Sequence, residues 1–83
     1  MQIATIEVKW NPPDPRLDNI GLRHDPGGHI YRIFTAEGHR RMFGTSRGPD
    51  RDRAFGVAKR AAFQAGFTHY RMLGEDGDPL PLS

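Results

Sequence analysis

Residues 29–65 read HIYRIFTAEGHRRMFGTSRGPDRDRAFGVAKRAAFQA, and two periodicities in this stretch decide the fold. From His29 to Thr35 the chain is rich in residues that fit a pleated surface. Ala36, Glu37 and Gly38 follow as a tight turn, with Gly38 free to take positive φ. His39 to Thr45 is the return strand. With Glu37 and Gly38 at the turn centre, Ile33 pairs with Met42 and Tyr31 with Gly44. On the other face Phe34 pairs with Arg41 and Arg32 with Phe43. One face is then apolar, and the other mixes aromatic and arginine side chains. A slip of one residue would exchange the two faces.

The period then changes from two to 3.6. Pro49 suits a helix start, and Asp50 and Asp52 favour the positive end of its dipole. The helix is expected to reach Ala65, with Gly66 as its C-terminal cap. At 100° per residue Ala54, Ala58, Ala61, Ala62 and Ala65 share a face, flanked by Phe55 and Val57. Small side chains there let a helix lie close on a sheet. Arg53, Lys59, Arg60 and Phe63 fall on the opposite face.

Working outward, Ala4, Ile6, Val8 and Trp10 alternate with Thr5, Glu7 and Lys9, the pattern of a half-buried first strand. The prolines at 12, 13 and 15 end it. Residues 11–28 read as a long loop, with a short turn or strand near Ile20–Arg23. Phe67 to Leu73 is a final strand, residues 74–79 a turn, and Leu80 to Ser83 a short tail. The order is β-β-β-α-β. The expected fold is α+β, an antiparallel-type sheet with one helix on one face, in a single domain over 1–83.

The chain has 83 residues and no cysteine. There is no thiol nucleophile and no disulfide framework, which suits a reducing cytoplasm. No apolar run approaches the roughly 20 residues of a membrane span, and residues 1–5 lack the pattern of a signal peptide. Net charge is +2 but unevenly placed. Residues 39–73 hold eight basic and two acidic side chains, a net of +6, whereas residues 74–83 carry Glu75, Asp76 and Asp78. Ten of the twelve basic residues are arginine, whose planar fork matches carboxylate and phosphate. Codon bias from a GC-rich genome explains that excess equally well.

Catalytic constellations are weak. His24, Asp25 and His29 match no zinc-binding spacing. Thr45 and Ser46 have no orienting acid nearby in sequence. Asp76-Gly77-Asp78 lacks the later ligands of a calcium loop. Gly44 to Gly48 leads into a helix start, where free N–H groups can meet an anion, without a nucleotide-binding glycine pattern. The chain therefore reads as non-enzymatic, with no cofactor and no metal. The candidate binding residues are Arg32, Arg40, Arg41, Phe43, Arg47, Arg51, Arg53, Lys59, Arg60 and Phe63. Aromatic and arginine side chains on a sheet face can stack bases and meet phosphates, or contact an acidic protein. Alternatively, Phe34 and Phe43 pack under the 11–28 loop.

From Pro26 to Leu73 the layout is a glycine turn (Gly27-Gly28) feeding a strand, a hairpin at Gly38, Gly44-Thr45 closing the third strand, an alanine-rich helix, and Tyr70-Arg71-Met72-Leu73-Gly74. This pattern resembles small phage anti-CRISPR proteins built of a sheet and one helix. That resemblance implies an inhibitor docking on a protein subunit of a host CRISPR complex and blocking nucleic-acid binding, as a monomer or weak dimer in the host cytoplasm. Over Gly28–Ala62 the chain is also similar to the three-strand-plus-helix DNA-binding domains of phage integrases and plant ethylene-response regulators. The double-stranded-RNA-binding fold shares the arrangement. These imply the alternative, a direct nucleic-acid-binding module in which Arg40, Arg41, Arg47 and Arg51 would meet phosphates. The inhibitor reading leads, because the total charge is modest and the tail is acidic.

The absence of a ligand pattern makes a simple prediction. Elemental analysis of purified, untagged protein should find no stoichiometric zinc. One zinc per chain would reassign His24 and His29 as ligands.

Overall fold

A computed structural model describes residues 1–13 and 27–82. The turn or strand expected near Ile20–Arg23, with most of the 11–28 loop, lies outside the described residues. Strands β1 (Ile3–Asn11), β2 (Gly28–Phe34) and β3 (Arg40–Arg47) precede helix α1 (Arg51–Gln64), and β4 (His69–Met72) and β5 (Leu80–Pro81) follow it. The α+β class and the order β-β-β-α-β are as expected, with the tail adding a two-residue strand. Among the described residues no helix is long and apolar enough to cross a membrane.

The sheet order is β3-β2-β1-β4-β5. Neighbours are antiparallel except β1 and β4, which run parallel. The sheet is therefore mixed. The cause is topological. Helix α1 carries the chain from the β3 edge to the far side of β1, and a helical crossover delivers a strand parallel to its neighbour.

Ile33 pairs with Met42, Tyr31 with Gly44 and Arg32 with Phe43, as the hairpin reading required. The register shifts between Ile33 and Phe34, so Phe34 pairs with Arg40 and not with Arg41. A β-bulge sets two residues against one and changes the partner beyond it. The ring of Tyr31 lies over Gly44. A Cβ at position 44 would overlap the Tyr31 ring atoms, so glycine is what the aromatic residue across the strand requires.

Asp50 caps α1, its side chain accepting a hydrogen bond from the Arg53 N–H at 3.1 Å. Pro49 therefore precedes the cap rather than occupying the first helical turn. At the other end Gly66 takes φ +99°. The Gly66 N–H donates to the Phe63 carbonyl and the Phe67 N–H to the Ala62 carbonyl, each at 3.1 Å. This double closure turns the chain sharply and drops Phe67 into the core.

Ala54, Ala58 and Ala62 are fully buried against the sheet. Ala58, Ala62 and Phe67 join Ala4, Ile6 and Ile33 in the core cluster, with Val8, Tyr31, Met42, Tyr70 and Met72 packed around it. Ala61, Ala65 and Phe55 flank the contact, while Val57 faces solvent. Trp10, expected inside with Ala4, Ile6 and Val8, is 44% exposed. It sits near the end of β1 and meets His29 edge-on at 5.2 Å between ring centroids.

Ala58→Asp should destroy the cooperative thermal transition, because it buries an unpaired carboxylate at a cost of several kcal/mol. Gly44→Ala should cost about 1–3 kcal/mol through displacement of the Tyr31 ring, read as a lower midpoint in urea. A wild-type melt for Ala58→Asp would mean that another helix face packs on the sheet.

Candidate functional site

Because Ile6 and Ile33 point into the core, their strand neighbours point out of it. The outward residues form rows across the sheet. Arg40, Phe34, Thr5 and Arg71 make one row, and Phe43, Arg32 and Glu7 the next. Thr45, Ile30 and Lys9 follow, then Arg47, Gly28 and Asn11. Helix α1 covers only the other face, and among the described residues no element crosses this one.

At the centre of this open face Arg32 is held by Glu7, with Nη1 to Oε1 at 2.7 Å. This is the cross-strand pair that opposite charges on facing residues favour. Phe43, next to Arg32, is 65% exposed. The Arg40 guanidinium carbon lies 5.3 Å from its ring centroid. Phe43 is therefore not covered, whereas Phe34 and Ile30 are half-buried. The alternative in which the 11–28 loop packs over Phe34 and Phe43 falls on a segment that lies largely outside the described residues.

The ten sequence candidates divide. Arg32, Arg40, Phe43 and Arg47 share the open face, and exposed Arg41 lies beside them at the bulge. Arg51, Arg53, Arg60 and Phe63 are exposed on the helix, on the other side of the sheet. Lys59 is used internally. Its ammonium lies 4.7 Å from the Phe55 ring centroid and 5.6 Å from that of Tyr70, and the two rings meet edge-on at 5.5 Å. Two cations of the open face were missed, Lys9 and Arg71. Lys9 was legible as an outward residue of β1. Arg71 was not, because its face depends on the pairing of Thr5 with Arg71 across a non-local parallel contact.

The weaker catalytic readings gain no geometry. Ser46 pairs with His29 across β2 and β3, but both are buried, so neither meets a substrate from solvent. The His29 Nδ1 has no hydrogen-bond partner. His69 bonds its neighbour Thr68 at 2.8 Å. His24 lies outside the described residues. Among those described, no group of three metal-ligating side chains comes together. The anion cradle expected at the start of α1 is filled from within the chain by the Asp50 carboxylate. Glu75, Asp76 and Asp78 line a cavity of about 290 Å³ with Phe55, Tyr70, Arg71 and Leu80 beyond β4, on the opposite side of the sheet order from β3.

Comparison with protein-family models, curated proteins and solved structures finds no match to this chain.

The Arg32–Glu7 pair is about one-third exposed on each side. Glu7→Gln should therefore change the unfolding free energy by less than about 1 kcal/mol, solvent screening having removed most of the attraction. Urea denaturation checks this. A loss above about 2 kcal/mol would make the pair a structural element of the sheet.

Proposed function

We propose that this chain is a non-catalytic module whose open sheet face binds nucleic acid. One observation carries the reading. An aromatic and apolar centre, Phe43 with Phe34 and Ile30, is ringed by Lys9, Arg40, Arg47 and Arg71. The carboxylate on that face, Glu7, is already engaged by Arg32. Among the described residues Lys9, Arg40 and Arg47 have no ion-pair partner within the face, so they meet an anionic backbone without first displacing a carboxylate, while Arg71 stands at its β4 margin beside an acidic cavity. Each phosphate they neutralise releases condensed counterions, which supplies sequence-independent affinity. A cysteine-free chain is at home in the reducing cytoplasm where such ligands are met.

Total charge understates this face. Among the described residues the other acidic side chains lie off these rows: Glu37 in the turn between β2 and β3, Asp50 and Asp52 at the helix start, and Glu75, Asp76 and Asp78 beyond β4. The field that an approaching polyanion meets is set by the nearest charges, within about a Debye length of 8–10 Å. That favours direct nucleic-acid binding over the sequence-based ranking.

A second reading keeps the anti-CRISPR-like inhibitor, docking on a protein subunit of a nucleoprotein complex. The observation in its favour is Phe63, 54% exposed beside Arg60 on the helix. An exposed aromatic next to an arginine is a common interface anchor.

Fluorescence anisotropy with labelled DNA and RNA, titrated with salt, separates the two. Binding should weaken with salt, with a log–log slope of about −0.7 to −0.9 for each phosphate contact. Lys9→Ala and Arg47→Ala should each flatten that slope by about one contact, while Arg60→Ala leaves it unchanged. No binding to either nucleic acid at low salt would favour the protein-directed inhibitor.

A further inference from the structure

Resting on the nucleic-acid reading of the open face, we propose that its ligand is single-stranded and that Phe43 is the platform on which an unpaired base stacks. Phe43 projects from β3 with most of its surface in solvent. It has the opposite construction from Tyr31, an aromatic side chain on the covered face, which lies over Gly44 and is packed against the core. Among the described residues no side chain covers the Phe43 ring, which leaves it open to a flat apolar ligand.

Its surroundings fit a base. The Arg40 guanidinium lies over one face of the ring at 5.3 Å, so a base stacks on the other face or displaces it, with Arg40 left to reach the phosphate. Arg32, opposite Phe43 on β2, is fixed by Glu7. That pairing directs the Arg32 fork toward β1 and away from the Phe43 ring. Phe34 lies one row away, a diagonal neighbour within reach of long side chains, and extends the apolar floor.

This chemistry discriminates between strands and duplexes. In a duplex every base is stacked on its neighbours and only phosphates and groove edges are presented, so an exposed phenyl ring gains little there. An unpaired base offers a π-face, and stacking of this kind is tolerant of sequence. The cations alone would not choose between the two forms, because both carry phosphates.

The test is anisotropy with an unstructured single strand of oligo-dT and a mixed-sequence duplex of the same length, at matched salt. The single strand should bind at least about tenfold more tightly. Phe43→Ala should weaken single-strand binding by about tenfold or more, the range that base–aromatic contacts give on truncation. It should leave duplex binding and the salt slope unchanged. Phe43→Trp should retain affinity, whereas Phe43→Leu, apolar without a ring face, should fall with the alanine variant. Since Phe43 is largely exposed, these variants should keep the wild-type melting curve. Equal affinity for duplex and single strand, or an unaffected Phe43→Ala, overturns the stacking inference while the salt-dependent grip of the face stands. Failure of wild-type protein to bind either ligand at low salt overturns both.

Discussion

Close contact between the alanine stripe of α1 and the sheet is the constraint on which the rest depends. Ala54, Ala58 and Ala62 recur every four residues and carry no atom beyond Cβ, so the helix can settle between Ile6 and Ile33 without holding the layers apart. A small domain has few apolar side chains, and closeness replaces bulk. The exit from the helix is part of the same contact. The double hydrogen bond at Gly66 turns the chain so that Phe67 fills the space beyond Ala62. Β4 then runs beside β1, and Tyr70 and Met72 close the core from that side.

One helix covers one face, and the sheet's alternation does the rest. Every inward residue fixes an outward neighbour, so the packing of Ile6 and Ile33 dictates that Glu7 and Arg32 meet on the opposite side. Phe43 then stands beside that pair because Met42 and Gly44 are needed inside. The open face is thus not assembled independently of the core. It is the other half of the same register, and a slip that buried Phe43 would expose Met42 and lift Tyr31 off Gly44.

Much of this was legible locally. The turn at Glu37-Gly38 fixed the pairing of Arg32 with Phe43, since hairpin register follows from turn geometry. The helix followed from the alanine spacing and its end from Gly66, while its start falls after Asp50 rather than at Pro49. What escaped was non-local or irregular. The bulge that moves Phe34 from Arg41 to Arg40 has no signature in a sequence of alternating residues. The neighbour of β4 is a choice between two sheet edges, and only that choice puts Arg71 in the row with Thr5 and Phe34. Charge is hard to read from the sequence for a related reason. A sum over the chain, or over a window of it, mixes side chains that the fold sends to different faces, and a partner meets only one of them.

The arginines of β3 admit a purely defensive reading, and Phe43 is what limits it. Among the described residues β3 is an edge strand, with no strand paired along its outer side. Proteins guard such edges with charge and with bulges, and Arg40, Arg41, Arg47 and the irregularity near Phe34 do both. That accounts for the cations without any ligand. It does not account for an aromatic ring projecting from the middle of the same strand, since exposed apolar surface on an edge invites the association that the charges prevent. Lys9 and Arg71 lie on β1 and β4, but each stands on a stretch that is paired on one side only among the described residues, since β4 pairs β1 from Ile3 to Ile6 and β5 pairs β4 at His69 and Tyr70. Edge protection therefore accounts for the basic charge on β3 and at these partial edges alike. The uncovered ring in its midst is what it leaves unexplained.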